Sequence, residues 1–181
     1  MIVRIGVFGM EINRKGTSYK LKGNQPKVGD KAPDFKARNL ADSVVELSDF
    51  FGKVVLISVI PDIDTRVCDL QAKAFNKIAS ELDEVQLITI SNNTKAQQAE
   101  WCAGKDISME MLHDSELNFG QAYGLIMEEL GNLARSVFVI NRKGEITYQE
   151  IVSEMTSEPD YDMVIEAAKE AREPNESGAL K

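Results

Sequence analysis

A chain of 181 residues with 43% hydrophobic and 28% charged side chains is too apolar for disorder, and its length buries about two thirds of the unfolded surface without help from a disulfide or a metal. Its 29 acidic against 21 basic residues argue against a general affinity for nucleic acid or anionic membrane. No apolar run approaches the roughly 18 to 20 residues of a membrane helix, and "MIVRIGVFGMEINRKG" has too short an apolar centre for a secretory signal, so the expected location is the cytoplasm.

Residues 1 to 28 carry short alternating segments broken by glycine, "VRIGVFGMEI" and "TSYKLKG" among them, and predict a small hairpin across an end of the main sheet, an extension of the same domain. "VGDKAPDF" marks the entry to a body spanning residues 29 to 172, with Pro33 fixing the chain direction. "VVELSDFFGK" reads as a short strand or a single turn. "KVVLISVI", residues 53 to 60, is β-branched and does not alternate, the pattern of a strand covered on both faces. Next, "CDLQAKAFNKIASEL" sets Leu70, Ala74, Phe75, Ile78, Ala79 and Leu82 at helical spacing, and "VQLITIS", residues 85 to 91, is a second apolar strand. Strand, helix and strand in that order form a right-handed βαβ unit.

"TKAQQAEWCAG" predicts a helix capped by Thr94 or Asn93 and stopped by Gly104. "ISMEML" suits a short strand, and "SELNFGQAYG" a short helix ending at Gly124. "RSVFVINRKGEITYQEIV" gives two strands around an "NRKG" turn. A last helix starts beyond "TSEPD", with Pro159 in its first turn, and runs through "YDMVIEAAKEA", leaving residues 173 to 181 as a frayed tail. A βαβ half, an intervening helix and a ββα half make up a thioredoxin-like α/β fold, a mixed central sheet with helices on both faces.

The chain has one histidine, His113, and two cysteines, so it cannot assemble a four-ligand zinc site of nitrogen and sulfur by itself. Phosphate-loop, dinucleotide and serine-elbow motifs are missing from the sequence. What stands out is "PDIDTRVC", residues 61 to 68, directly after the first central strand. Reactive groups collect where an α/β chain leaves the carboxyl end of a central strand and enters a helix. With Thr65 as the cap, Cys68 lies in the first turn, where unpaired amides and the helix dipole favour a thiolate. Pro61 stops the strand because it has no amide to donate. The bland alternative makes Thr65 a cap and Cys68 a small buried hydrophobe.

Arg135 opens the apolar strand "SVFVI", where a charge is costly unless it finds a partner such as an anion; a surface arginine at a strand edge is the other reading. Cys102 beside Trp101 reads equally as core packing. Gln71, one turn after Cys68, faces its side and suits either a hydrogen-bond network or a solvated helix face. Met109, Met111 and Met127 read as core or interface filler.

Pro61, Thr65 and Cys68 match the Pro-x-x-x-Thr-x-x-Cys signature of peroxiredoxins, and "PDIDTRVC" resembles the version in bacterial thiol peroxidases, the atypical two-cysteine subgroup. The likeness continues through "VGDKAPDF", "ITIS", "EWCAGKDI", "QAYG", "LARSVFVI" and "EMTSEPDY". Two departures stand out: Arg66 occupies a position where members commonly have proline or glycine, and "CAGKDI" differs from the usual pattern after the second cysteine.

The resemblance implies a thiol peroxidase acting on hydrogen peroxide or alkyl hydroperoxides without a metal or organic cofactor. Cys68 would be the peroxidatic cysteine and pass through a sulfenic acid. Thr65 would contact thiolate and peroxide, Arg135 would stabilise them, and Pro61 would shield the pocket. Cys102 would resolve the sulfenic acid as a disulfide within one chain, thioredoxin would reduce that bond, and the enzyme would be a homodimer. A disulfide needs α-carbons within about 7 Å, so local unwinding around both cysteines is expected when it forms. The competing readings are a disulfide oxidoreductase, for which Asp69 to Gln71 supply no second thiol, and a redox sensor without turnover.

Overall fold

Every residue of Val54–Val59 is buried. The reason is its place at the centre of a seven-stranded sheet, in a computed structural model that describes residues 9–104 and 109–173. In chain order the strands are β1 (Glu11–Arg14), β2 (Thr17–Lys20), β3 (Lys36–Asn39), β4 (Val44–Glu46), β5 (Val54–Val59), β6 (Val85–Ser91), β7 (Glu110–His113), β8 (Ser136–Ile140) and β9 (Ile146–Ile151). The helices are α1 (Arg66–Glu81), α2 (Lys95–Ala103), α3 (Asn118–Tyr123) and α4 (Tyr161–Arg172). The sheet runs β4-β3-β7-β6-β5-β8-β9, with β5 parallel to β6 and antiparallel to β8. The mixed sheet with helices on both faces is the thioredoxin-like arrangement expected above.

Alternate residues of β5 feed two cores, as strand geometry requires. Leu56 packs with Phe75 and Ile78 of α1 and Val164 and Ala168 of α4. On the other face Val55, Ile57 and Val59 join Phe119 and Tyr123 of α3 and Ile12 of the hairpin. "VVELSDFFGK" forms both candidate structures in succession, β4 and then a single 3-10 turn over Leu47–Phe50.

Two expectations are corrected, and a third is met with its bounds shifted. Leu70 is 37% exposed, and the inner face of α1 is instead Cys68, Gln71, Ala72, Phe75 and Ile78. Pro159 stands before α4 rather than in its first turn; Asp160 is the cap, its side chain accepting from the Met163 amide. The strand read from "ISMEML" runs over Glu110–His113, and residues 107 and 108 lie outside the described residues. Residues 1–8 of the hairpin segment and 174–181 of the tail also lie outside them.

Gly124 ends α3 at φ +63°, and a Cβ there would sit 2.5 Å from the Asn24 carbonyl oxygen, so only glycine fits this close approach. At the other end of α3 the buried Asp114 carboxylate accepts from the amides of Phe119 (2.9 Å) and Gly120 (2.8 Å). Burial outweighs those bonds and pushes its pKa from 3.8 to about 6. Between those values the folded protein holds a proton that the unfolded chain has lost, so this group's contribution falls as pH rises. Relative to Asp114→Asn, the wild type should lose about 2 kcal/mol between pH 4 and pH 7 in urea titrations. Parallel pH dependences would refute this. The difference from the variant isolates Asp114 from Asp42 and Glu154, whose lowered pKa values act in the opposite direction.

Candidate active site

The site begins where the sheet's hydrogen bonding stops. Ile60 still donates to Ile90 O (3.0 Å), and then Pro61, which has no amide hydrogen, turns the chain. Side chains from other loops hold the turn. Asn132 Nδ2 donates to Pro61 O (3.0 Å), and Asn93 both accepts from the Ile63 amide (3.2 Å) and donates to Asp62 Oδ1 (3.2 Å). Thr65 caps α1 from an extended backbone conformation. Its hydroxyl donates to Asp62 O (3.0 Å) and accepts from the Cys68 amide (3.4 Å), which commits it to the loop and to the backbone of Cys68.

Cys68 is fully buried in the first turn of α1, at the positive end of the helix dipole. Arg135 Nη1 lies 3.4 Å from its Sγ. The same nitrogen donates to Gln71 Oε1 (2.8 Å), while Arg135 Nε and Nη2 both donate to Met155 O, at 3.1 and 3.0 Å. Gln71 is held in turn, its Nε2 donating to Ser58 Oγ (2.9 Å) and Val59 O (3.3 Å). Arg135 is only 2% exposed, and among the described residues no carboxylate forms an ion pair with it. A guanidinium buried among neutral acceptors is costly unless an anion completes its shell, and of the partners bonded to Arg135 the one able to become an anion is the Cys68 thiol.

Next to Arg135 and the N-terminal turn of α1 a cleft of about 130 Å³ is lined by Pro61, Thr65, Val67, Arg135 and Met155, with Arg14 of the hairpin on its wall. A larger cleft of about 430 Å³ between the β8–β9 turn and the end of α4 has none of Pro61, Thr65 and Arg135 in its lining, so the chemistry points to the smaller one.

Cys102 lies in the last turn of α2, half-buried and free, like Cys68. Burial pushes its thiol pKa up, and the negative end of a helix dipole opposes a thiolate there as well. Trp101 beside it packs against the cluster of Ile60, Ile63 and Cys68. Four of the five predicted residues, Pro61, Thr65, Cys68 and Arg135, are thus assembled in one site. Cys102 stands next to Trp101 on α2 and is not bonded to Cys68.

The AhpC/TSA family pattern matches residues 28–149. The chain belongs to this family. Similar AhpC/TSA proteins include the thiol peroxidase of Halalkalibacterium halodurans, 49% identical over 88% of this chain and 98% of that protein. The thiol peroxidase of Bacillus subtilis is 46% identical over 88% and 96% of the two chains. Among solved structures, a peroxiredoxin-like protein from Aquifex aeolicus superposes with a TM-score of 0.84 at 30% identity, covering 89% of this chain and 96% of that one.

Within this AhpC/TSA site, Met155 and Arg14 were not singled out from sequence. Met155 contributes a backbone oxygen, which no side-chain pattern reveals, and Arg14 comes from a hairpin far away along the chain. Gln71 resolves to the network reading. Gln71→Met removes the acceptor that orients Arg135 Nη1 and should slow iodoacetamide alkylation of Cys68 at pH 7 by about tenfold, the scale of one hydrogen bond to a charged group. An unchanged alkylation rate would leave Gln71 a packing residue only.

Proposed function

We propose that this chain is a thiol peroxidase that reduces hydrogen peroxide and alkyl hydroperoxides through Cys68. The thiolate Sγ attacks one oxygen of the hydroperoxide and the O–O bond breaks. The leaving alkoxide or hydroxide takes a proton to become alcohol or water, and sulfur is oxidised to a sulfenic acid. Arg135 stabilises the thiolate and then the charge that develops on the peroxide oxygens. Thr65 fixes the first turn of α1 beside the cleft, while Pro61 keeps water off the site. The observation that carries this reading is the buried Arg135 nitrogen 3.4 Å from Cys68 Sγ, with no carboxylate paired to it among the described residues.

Cys102 then condenses with the sulfenic acid, forming the S–S bond and releasing water. As packed, its thiol is held protonated and is a poor nucleophile. Unwinding at the end of α2 and the start of α1 therefore both frees Cys102 and brings the two sulfurs together. Thioredoxin, acting as a dithiol, reduces the disulfide and is itself oxidised. We assign a homodimer working in the cytoplasm. Peroxide titration followed by peptide mass spectrometry tests the sequence of steps: one equivalent should produce a Cys68–Cys102 disulfide. Accumulation of a Cys68 sulfinic acid with Cys102 still free would overturn the resolving step, and unmodified Cys68 would overturn the whole reading.

A further inference from the structure

The aim of Arg135 depends on one carbonyl. Two of its three guanidinium nitrogens donate to Met155 O, so wherever Met155 sits, the remaining nitrogen follows. Met155 belongs to the irregular segment between β9 and α4, which lies beyond the sheet ladder. Its position is fixed instead by the N-terminal hairpin. Asn13 in β1 donates its amide to Ser153 O (2.8 Å) and accepts from the Met155 amide on its own carbonyl (2.8 Å), a two-bond bracket around Glu154. The Lys15 amide adds a weaker bond to Glu154 Oε1 (3.4 Å). Next to Asn13, Ile12 is fully buried in the core, which anchors the bracket.

The hairpin also holds the segment on the other side of Arg135. Lys22 donates to Ile126 O (2.9 Å) and Glu128 donates to Lys20 O (2.8 Å). That segment leads through Leu130 and Asn132, both on the cleft wall, to Arg135 itself. The chain is therefore gripped by one hairpin before and after the arginine.

From this we infer that the N-terminal hairpin is a positioning element for the Cys68 site, with the Asn13 backbone as the brace that sets Met155 O and through it the direction of Arg135. Asn13 touches neither sulfur nor substrate; it acts through Met155. The inference rests on the role assigned to Arg135 above.

Asn13→Pro deletes the amide hydrogen that bonds Ser153, in the full chain. Its expected signature is a fall of about tenfold in the rate constant for hydrogen peroxide and a proportional fall in Cys68 alkylation by iodoacetamide at pH 7, the range seen for coupled neighbours. In an Arg135→Met background the same substitution should change neither rate, because the group it positions is gone. A hairpin that only stabilises the fold would instead lower the melting temperature while leaving alkylation at 25 °C untouched, or would act equally in both backgrounds; either result overturns the inference. Should Asn13→Pro fail to fold, Glu154→Ala decides: it removes the side-chain bond to the Lys15 amide together with those from Thr156 Oγ1 (2.8 Å) and the Thr156 amide (3.3 Å), and Thr156→Val, which keeps the Lys15 bond, is the control whose effect is subtracted. A loss of about threefold in both rates, absent in the Arg135→Met background, is expected for it, and no loss refutes the brace. Alkylation needs no peroxide. A wild type that alkylates rapidly yet does not consume peroxide would therefore sink the peroxidase reading and leave the brace standing.

Discussion

Cys68→Ser should abolish peroxide consumption, whereas Cys102→Ser should leave the first turnover intact and stop the second. The asymmetry follows from where the two thiols lie. Cys68 occupies the positive end of α1 with an arginine nitrogen 3.4 Å from its sulfur, an environment that stabilises an anion. A serine hydroxyl placed there stays protonated at neutral pH, and the same electrostatics gain nothing from it. Cys102 occupies the negative end of α2, where burial raises its pKa, so it has no part in the first attack. With hydrogen peroxide in excess, Cys102→Ser should show a burst of about one equivalent and then pass from sulfenic to sulfinic acid on Cys68, because nothing intercepts the intermediate. Stopped-flow fluorescence of the single tryptophan, Trp101, reports the burst, since that ring packs on the Cys68 cluster. Thioredoxin-supported steady-state turnover in Cys102→Ser would remove the disulfide from the mechanism, and any persistent turnover in Cys68→Ser would remove the mechanism itself.

The parts of the fold legible in the sequence are those with a local physical cause. Val54–Val59 reads as a central strand because both of its faces are apolar, and of the two caps expected for α2, Thr94 or Asn93, the structure uses Thr94, with Gln97 completing its capping box. Arg135 was legible for the opposite reason: a charge at the head of a buried strand demands a partner. Leu70 misled because periodicity ranks residues by hydrophobicity alone. The rotation of α1 is set partly by Gln71, whose amide links Arg135 to Ser58 inside the protein, and turning Gln71 inward moves Leu70 to the helix shoulder. Asn13 and Met155 were illegible because they act through backbone atoms 142 residues apart, and no spacing in a sequence encodes which two loops will meet.

Arg135→Met should slow peroxide reduction by about a hundred- to a thousandfold, the cost of removing one preorganised donor from a developing anion, while barely changing the melting temperature. Stability is expected to survive because a buried guanidinium carries a desolvation cost of its own, which the methionine abolishes. Against that gain, Met155 O and Gln71 Oε1 lose their donor, and each unsatisfied acceptor costs about 1 to 3 kcal/mol. The two effects oppose each other, whereas nothing offsets the loss of the cation beside sulfur. Arg135→Lys separates charge from geometry. One ammonium on a flexible stem cannot hold Met155 O and Gln71 Oε1 in a rigid fork and still face Sγ, so an intermediate loss is expected although the charge is kept. Alkylation of Cys68 at pH 7 should track both variants. If Arg135→Lys matches the wild type in rate, charge alone suffices and the clamp formed by Gln71 and Met155 is dispensable. If Arg135→Met alkylates at the wild-type rate at pH 7, the first turn of α1 stabilises the thiolate unaided, and Arg135 acts only on the peroxide.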